Sequence, residues 1–425
     1  MKLNKLNRFV SKDNLLLRNA SWLLGAEVTA RLSRIVTLIA LAAALDSVEY
    51  GTAMLALAFH DIIRLILKCG SGAQIVQCPE SQLAEYAGNG ATIQWFLCCA
   101  LAIAQWHIAP LIGDFYENEK IAYLVQWMAP TYLLYPLTSV NVFMVQRENK
   151  MRFLSIVNAC CLIVENLGIA VMLMFDFGLE AIIFAKVANA LLWTICFAFA
   201  PVQKFALAFS PQVLSLLIST SSKLFATEVF KSVRGHADLL IAGKILSPEL
   251  FGVYSFAKSA SMGISQSINN AYNSALYPYV CRLNRDNTLN QQLPILATLT
   301  AIVAIAFAIQ GVLTPVYVPL LFGDAWLSSI SAATILCLAA SLNLLFDTYC
   351  NICRALGKFQ LELWRRSAVS ILSIAIIFLF SPTTPVAMAV AVLMGSAMWP
   401  VYFLVQQAIT RIIKEDSRIA QRKTS

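Results

Sequence analysis

The chain has 425 residues, of which 59% are hydrophobic and only 13% are charged, and its mean hydropathy is +0.70. A soluble protein of this size cannot hide so much apolar surface, so the composition excludes a soluble globular class and predicts a polytopic membrane protein. The formal net charge of +8 does not indicate nucleic-acid binding, because Lys and Arg accumulate in the cytoplasmic loops of membrane proteins and no nucleic-acid-binding module is recognisable.

A basic, amphipathic lead precedes the first apolar run. The run itself carries Glu27, Arg31 and Arg34 and has no small-residue cleavage site, so it is atypical of a cleaved signal peptide. We expect the lead to lie as an interfacial helix on the cytoplasmic surface. Its cations are Lys2, Lys5, Arg8, Lys12 and Arg18.

Apolar windows of about 20 residues predict about twelve membrane spans and therefore an all-α polytopic fold. The linkers are short, and the longest polar one runs from about Cys69 to Asn89, so no soluble catalytic domain is expected between the spans. The predicted spans are 19–44, 48–68, 90–112, 121–145, 153–175, 178–200, 213–243, 250–273, 292–314, 326–348, 362–381 and 386–409.

Cations and acids divide between the two sets of linkers. The linkers after odd-numbered spans are acidic, with Lys120 and Lys244 as their cations. Because basic loops are retained in the cytoplasm, this asymmetry predicts that both termini are cytoplasmic. The cations assigned to the linkers after even-numbered spans are Arg147, Lys150, Arg152, Lys204, Arg282, Arg285, Arg354, Lys358, Arg365 and Arg366.

The seventh predicted span combines the length of a membrane helix with five charges. Each charge facing lipid at mid-bilayer would cost about 2.5–3.5 kcal/mol, so these side chains must face water or protein. Successive steps of 4, 4, 3 and 4 residues place most of them on one helical face, and Glu228 lies beside that face within reach of Lys231. The pattern predicts a helix with a lipid face and a mostly cationic face that lines a water-filled cavity. This cationic stripe consists of Lys223, Thr227, Lys231, Arg234 and Asp238.

Other charged residues lie in or beside the apolar segments. Arg31 and Arg34 belong to the first span, Arg64 to the second and Lys258 to the eighth. Arg64 is also explained as an interfacial anchor, and Lys258 as a side chain that snorkels to the surface. His60, on the second span, is expected at the membrane interface.

Carboxylates inside the spans have two interpretations each. Glu27 precedes Arg31 by four residues, so it either holds that arginine or carries a proton. Glu165 and Asp347, in the fifth and tenth spans, either bind H⁺ or Na⁺ or pair with a neighbouring cation. The candidate charge partners or ion-coupling residues are Glu27, Glu165, Glu228, Asp238 and Asp347.

A shift of 201 residues aligns the first predicted span with the seventh. It brings Glu27 onto Glu228 and Gly51 onto Gly252, and it makes LDSVEYG and LSPELFG equivalent turns into the next helix. Six spans per repeat give both halves the same orientation, so we expect two six-helix lobes related by a pseudo-two-fold axis along the membrane normal. The predicted lobes are 1–205 and 206–425.

These features resemble a known family. The motifs are the charged first helix, the L-x-x-x-x-[YF]-G turn, the basic R-x-x-x-x-R-F at 147–153 and D-x-L-L-I-A-G-x-x-L-S-P-E-L-F-G-V-Y at 238–254. Together they are similar to those of Wzx-type polysaccharide flippases, in the superfamily that also holds multidrug extruders and lipid II flippases. The resemblance covers nearly the whole chain and is strongest from Asp238 to Arg285.

The resemblance implies a cationic central cavity and alternating access, by which undecaprenyl-diphosphate-linked oligosaccharide crosses the bacterial inner membrane. Other expected partners are the lipid bilayer and further polysaccharide-assembly membrane proteins, with no nucleic acid. No cofactor or metal is predicted, while H⁺ or Na⁺ coupling stays open. The planar guanidinium of Arg can donate two hydrogen bonds to a diphosphate, and the ammonium of Lys supplies a compact positive charge. The substrate-binding candidates are therefore Arg31, Arg34, Arg64, Lys223, Lys231, Arg234 and Lys258.

Two other functions stay open at this point. An ion-coupled drug or small-solute antiporter of the same superfamily predicts carboxylates rather than cations in the cavity. A membrane enzyme, such as a polysaccharide polymerase or ligase, predicts a large external loop with catalytic residues, whereas the external linkers here are short. The cationic stripe favours the flippase, and we expect no enzymatic activity.

Overall fold

The computed structural model describes residues 29–30, 33–69, 72–148, 150–285 and 288–400. This part of the chain is almost wholly helical and contains no β-strand, which confirms the all-α class. The chain divides into two compact units, Met1–Ser232 and Val233–Ser425. The sequence places its lobe boundary earlier, at 205/206, and that boundary stays a prediction.

The described part of the first unit begins with a short apolar helix, Ser33–Ala44. The next helix, Ser47–Arg64, is extended by a 3₁₀ turn, Leu65–Cys69. A long helix, α9 (Pro211–Ile245), runs through the division between the units. The helices before it are α1 (Ser33–Ala44), α2 (Ser47–Arg64), α3 (Gly72–Gln77), α4 (Leu83–Tyr116), α5 (Glu119–Met128), α6 (Ser139–Arg147), α7 (Met151–Met174) and α8 (Glu180–Ala198).

The second unit continues with long helices joined by short turns. A π-helical turn, Ser259–Gly263, separates its first two helices, and a 3₁₀ turn, Asp324–Ser329, precedes the fourth. The helices are α10 (Pro248–Lys258), α11 (Ile264–Arg285), α12 (Leu289–Phe322), α13 (Ile330–Ala355), α14 (Phe359–Phe380) and α15 (Pro385–Pro400).

Seven helical stretches in the described part are long and apolar enough to cross a bilayer. Their outer faces carry large apolar side chains, with Phe96, Met174 and Leu379 each at least 78% exposed, as expected where lipid rather than water surrounds the protein. The stretches are Ser47–Leu67, Glu80–Tyr116, Met151–Met174, Glu180–Ala198, Gln291–Phe322, Asp324–Ala355 and Gln360–Phe380.

The remaining predicted spans differ from these seven for identifiable reasons. The segments 19–44 and 386–409 extend beyond the described residues. Their described parts are the shorter apolar helices α1 and α15. The segment 213–243 carries the charges of the stripe, 250–273 is polar, and 121–145 is broken. The total of twelve spans therefore stays a prediction.

The predicted span 121–145 is not one uninterrupted helix, because two prolines divide it. Pro130 and Pro136 lie in the 3₁₀ turns Ala129–Leu133 and Tyr135–Leu137 between α5 and α6. Proline lacks the N–H that an α-helix requires and clashes with the preceding turn. The Thr194 hydroxyl of α8 donates to the carbonyl of Leu134 at 3.1 Å, which satisfies a backbone group that the break leaves without a helical partner.

At the turn between α10 and α11, side chains of a neighbouring helix likewise donate to backbone carbonyls. At this π-helical turn, the carbonyls of Ala260 and Ser261 accept hydrogen bonds from α12 side chains, and the Ser261 carbonyl also accepts from the backbone N–H of Ile264. Gln310 donates to both carbonyls, at 3.4 and 3.3 Å, and the Tyr317 hydroxyl donates to the Ala260 carbonyl at 3.0 Å. A distorted helix of this kind is tolerated at membrane depth because neighbouring helices satisfy its backbone.

The linker predicted from Cys69 to Asn89 is largely helical. It contains α3, and α4 begins at Leu83. Arg147, assigned to a cytoplasmic loop, reaches back to the end of α3 and donates to the carbonyls of Ile75, at 2.9 Å, and Cys78, at 2.7 Å. A cation that caps the carbonyls of a helix end also interacts favourably with the helix dipole.

The two turns that the 201-residue shift predicts to be equivalent have the same geometry. Asp46 caps α2 by accepting from the backbone N–H of Glu49 at 2.8 Å, and Ser247 caps α10 by accepting from that of Leu250 at 3.4 Å. Tyr50 and Phe251 follow in matching positions, and both are buried. The equivalence of these turns is confirmed, while the pseudo-two-fold relation of the lobes stays a prediction.

Candidate functional site

The cationic stripe lies on one uninterrupted helix. Because α9 is helical throughout Pro211–Ile245, the 4, 4, 3 and 4 spacing of the stripe applies to a single helical backbone. Several predicted site residues have side chains outside the described part of the chain, and their roles stay predictions. These residues are Glu27, Arg31, Lys223, Glu228, Lys231 and Arg234.

The last residue of the stripe, Asp238, is buried and ion-paired. Lys258 Nζ of α10 lies 2.6 Å from Asp238 Oδ1 and also donates to the carbonyl of Gly235 at 2.8 Å. The Tyr254 hydroxyl donates to Asp238 Oδ2 at 2.5 Å. Lys258, predicted to bind substrate or to snorkel, is therefore held in an ion pair between α9 and α10, and a role in substrate binding stays a prediction.

The break between α5 and α6 builds a buried polar site in the first unit. Gln105 Nε2 and the Tyr132 hydroxyl each lie 3.2 Å from His60 Nδ1, and the Tyr132 ring stacks on the imidazole with centroids 5.2 Å apart. The Tyr132 hydroxyl also donates to Gln105 Oε1 at 2.8 Å. His60 is only 1% exposed and therefore lies inside the protein, while its predicted position at the depth of the membrane interface stays a prediction. Gln105 and Tyr132 thus place polar groups beside Nδ1 of the buried imidazole.

Arg64 lies one turn beyond His60 on α2. Its guanidinium carbon is 5.2 Å from the ring centroid of Tyr135, which the same break positions, and this distance is typical of a cation–π interaction. Asp61 and Glu165 lie within electrostatic range of Arg64. Arg64 therefore belongs to a polar interior, whereas Arg34, the other described candidate of the first unit, is exposed on α1.

Glu165 forms a buried ion pair with a residue that the sequence analysis missed. Lys186 Nζ of α8 lies 2.7 Å from Glu165 Oε1 of α7, and the Asn189 amide donates to Glu165 Oε2. Of the two interpretations of Glu165, the structure contains the ion pair, and ion coupling stays a prediction. The overlooked signal is the single charge at Lys186 inside the apolar run IIFAKVANALL, which is a functional hypothesis by default.

Asp347 belongs to a network on α11, α13 and α14 of the second unit. Arg366 donates from Nη1 to Asp347 Oδ1 at 2.9 Å and from Nε to Glu362 Oε1 at 3.0 Å. Arg354 donates to both Glu362 oxygens at 2.8 and 2.9 Å, and the Asn269 amide donates to Asp347 Oδ2 at 2.9 Å. The assignment of Arg366 to a loop is wrong: Arg366 is 4% exposed on α14, where the buried Glu362 and the half-buried Asp347 hold it.

Each of these ion-pair networks balances its charges. Glu165 is matched by Lys186, and Asp238 by Lys258, while two acids meet two arginines around Arg366. Because an unpaired charge in an apolar interior is strongly unfavourable, a proton or cation that binds one of these acids would compete with its basic partner. No cluster of His, Cys, Asp or Glu suited to a metal ion occurs in the described part of the chain.

Solved structures with the same fold define the class of protein. The chain is similar to the lipid II flippase MurJ in its inward closed conformation, with a TM-score of 0.76 and 12% identity over 90% of this chain and 86% of MurJ. It is also similar to an inward-facing multidrug resistance MATE family transporter of the MOP superfamily, with a TM-score of 0.74 and 13% identity over 93% and 99% of the two chains. The protein therefore has the fold of these multi-pass membrane transporters.

The sequence matches then give the family. Residues 40–331 match the family described as polysaccharide biosynthesis protein (Polysacc_synt_3), and the chain belongs to that family. Teichuronic acid biosynthesis protein TuaB of Bacillus subtilis is 18% identical over 73% of this chain, and lipopolysaccharide biosynthesis protein WzxC of Escherichia coli is 20% identical over 73%. The matches span 65% and 63% of these relatives' own lengths. The resemblance to Wzx-type flippases is thereby confirmed.

Proposed function

We propose that the protein moves a polyprenyl-diphosphate-linked oligosaccharide, with undecaprenyl as the expected lipid, from the cytoplasmic to the outer leaflet of the bacterial inner membrane. The observation that carries the proposal is membership of a polysaccharide biosynthesis family by a chain that has the transporter fold. A lipid-linked glycan made inside the cell must cross the membrane before it is assembled outside, and a bundle of membrane helices with a transporter fold suits that step.

The stripe on α9 supplies the chemistry that the cargo requires. A diphosphate carries two negative charges, and Arg234 and Lys231 offer a planar fork and a point charge one turn apart on the helix. Arg31 on the first span is the third residue to which we assign diphosphate binding. The diphosphate and the glycan enter the cavity, while the polyprenyl tail extends through a lateral opening and remains in the bilayer. Movement of the two lobes then opens the cavity to each side of the membrane in turn.

The membrane potential drives this direction of movement. Carrying two negative charges outward across an inside-negative potential of about 100 mV releases roughly 4–5 kcal/mol. The empty, cationic protein must then return against the same field. Glu27, Glu165 and Asp347 are the groups that we assign to H⁺ or Na⁺ coupling on this return step, with Glu165 and Asp347 first releasing Lys186 and Arg366.

A cellular complementation experiment tests the proposal. Lys231→Ala and Arg234→Ala, alone and together, are expected to insert normally and to abolish surface polysaccharide in a strain that lacks its own copy of this gene. Lys244→Ala, at the end of the same helix, serves as the matched control and is expected to support normal levels. Normal surface polysaccharide from a correctly inserted double variant would contradict the assigned role of the stripe.

The similarity to a multidrug transporter favours a second candidate function, ion-coupled export of drugs or small solutes. This function predicts that cells expressing the protein resist and expel organic cations. A cation-efflux assay in a strain without its major extruders distinguishes the two, because the flippase is expected to leave efflux unchanged.

A further inference from the structure

An extended segment follows α8 and lies along α4. This strap, residues 201–210, is held by two polar side chains of α4: the Thr92 hydroxyl donates to the carbonyl of Ala208 at 2.7 Å, and the Ser210 N–H donates to Asn89 Oδ1 at 2.6 Å. Gly88 permits the close approach, because a Cβ there would lie 2.7 Å from the Ala206 carbonyl oxygen. The strap is therefore a fixed part of the first unit.

The strap leaves backbone groups available to a ligand. From residue 203 to residue 209, none of its N–H groups donates to another residue in the described part of the chain. Such groups need water or a polar ligand, since an unsatisfied N–H beside apolar surroundings costs several kcal/mol in the absence of either.

A cavity of ≈ 260 Å³ opens beneath the strap. Its lining comes from the strap, the start of α4, the α5–α6 break, α6 and the end of α8, and it combines apolar side chains with the polar Asn141 and Lys204. Lys204 stands at this cavity, exposed, and no residue in the described part of the chain pairs with its ammonium group. The wall residues that matter here are Trp95, Leu137, Val140, Ala198 and Phe205.

The cavity lies where a lipid headgroup would lie. In the orientation that the loop charges predict, the strap and the adjoining ends of α4, α6 and α8 face the cytoplasm. Lys150, from the linker after α6, donates to the carbonyl of Pro201 at the beginning of the strap, but its charge is balanced by Glu148 at 2.7 Å, so Lys204 is the cation that the strap offers to a lipid phosphate. Cytoplasmic leaflets carry anionic lipids, which basic residues near the surface attract.

We infer that this cavity binds an anionic phospholipid of the surrounding bilayer. Lys204 and the unpaired strap N–H groups hold the phosphate, and the glycerol and first methylenes lie between Trp95, Leu137 and Phe205. A volume of ≈ 260 Å³ suits a headgroup with the start of its chains. It is too small for a diphosphate carrying an oligosaccharide, since drug-sized ligands already occupy about 300–1,000 Å³. The site is thus separate from the proposed transport path and does not depend on it.

The first test is lipid binding to the purified, full-length protein. Phosphatidylglycerol is titrated into protein held in phosphatidylcholine nanodiscs, and retained lipids are counted by native mass spectrometry. Lys204→Gln is expected to weaken retention of one phosphatidylglycerol about five-fold, the factor expected for one basic residue at a membrane surface. Lys120→Gln, another exposed lysine, is the matched control and is expected to bind like wild type. Unchanged retention in Lys204→Gln, with wild-type thermal unfolding, would overturn the inference.

The second test locates the lipid within the molecule. Phosphatidylglycerol brominated near its headgroup is expected to quench tryptophan fluorescence more strongly in wild type than in Trp95→Phe, and brominated phosphatidylcholine is expected to show a smaller difference. Equal quenching in the two proteins would place the lipid elsewhere. Displacement of the bound phosphatidylglycerol by an equal concentration of polyprenyl diphosphate would assign the cavity to the cargo and would equally overturn the inference.

Discussion

At the scale of single residues, acids within the helices of this protein are matched by cations from neighbouring helices. Glu165 meets Lys186 across the α7–α8 hairpin, and Asp347 meets Arg366 across the α13–α14 hairpin. Pairing of this kind keeps both partners charged in an apolar interior, where neither would be stable alone. The predictions at this scale therefore concern what happens when one partner is removed.

Lys186→Met should strongly destabilise the first unit. The substitution keeps a long apolar side chain but leaves Glu165 without its cation, and removing one partner of a buried pair costs about 3–5 kcal/mol. Thermal unfolding measured with a thiol-reactive dye, which reports exposure of buried cysteines such as Cys98 and Cys337, should show a clearly lower melting temperature.

The double variant Lys186→Met/Glu165→Gln should recover most of that loss, because it removes both charges. Lys120→Met, which removes an exposed lysine, is the matched control and should change the melting temperature little. A melting temperature that is the same in Lys186→Met as in the control would show that the pair does not stabilise the fold.

Arg366→Lys should destabilise the second unit although it preserves the charge. The guanidinium donates to Asp347 and Glu362 in different directions from Nη1 and Nε, whereas a lysine ammonium is a single point on a flexible stem. Losing one charge-assisted hydrogen bond costs about 1.5–3 kcal/mol. Thermal unfolding measured with the same dye tests this prediction, and Arg34→Lys, at an exposed site, is the control. Equal melting temperatures for the two variants would show that the two-sided hydrogen bonding of the Arg366 guanidinium does not stabilise the fold.

The sequence identifies such residues one at a time but not their pairings. Glu165 and Asp347 are recognisable as intramembrane acids, whereas Lys186 is a single charge inside an apolar run and Arg366 lies close to the cations of a predicted loop. The free-energy cost of burying a charge depends on which groups lie beside it in the folded protein, and the sequence does not show these groups. In addition, a hydropathy window averages a single lysine or arginine with its apolar neighbours in the sequence.

At the scale of helices, the sequence predicts where apolar segments lie better than how their backbone runs. The window 121–145 is apolar enough for a span, but Pro130 and Pro136 convert its middle into 3₁₀ turns. Those prolines were visible in the sequence and could have indicated a break. The sequence does not show what the break does in the folded protein. The break positions Tyr132 and Tyr135, which contact His60 and Arg64 of α2.

Gly88→Ala should loosen the strap from α4. The added Cβ would lie 2.7 Å from the Ala206 carbonyl oxygen and 2.7 Å from the Ala208 Cβ, so the backbone of the strap must move. Overpacking of this kind costs about 1–3 kcal/mol, which should raise the population of the released strap at least about five-fold. Limited trypsin digestion should then cut after Lys204 correspondingly faster.

Gly168→Ala is the matched control for this digestion, because a Cβ there would meet the Ala185 Cβ at an ordinary contact distance of 3.7 Å. A Lys204→Gln substitution in both backgrounds confirms which band arises from cleavage in the strap. Equal cleavage rates in the two glycine variants would show that the strap is not held against α4 as described.

At the scale of the whole molecule, composition determined the class and short motifs determined the family. An apolar content of 59% leaves no soluble alternative, and the turn at LSPELFG is reproduced in backbone geometry at LDSVEYG. The sequence could not show how the chain divides, because the long helix α9 gives no compositional sign of a boundary within it. Span number and membrane orientation stay predictions.

The proposed flippase activity is tested most directly in proteoliposomes that contain the purified protein and a fluorescent polyprenyl-diphosphate oligosaccharide. The fraction of glycan protected from an external glycosidase reports movement between leaflets. Wild type and Lys244→Ala should let the enzyme reach nearly all of the glycan, whereas Lys231→Ala/Arg234→Ala should leave about half protected, as in protein-free liposomes. Protection in the wild-type sample equal to that of protein-free liposomes would contradict the proposed function.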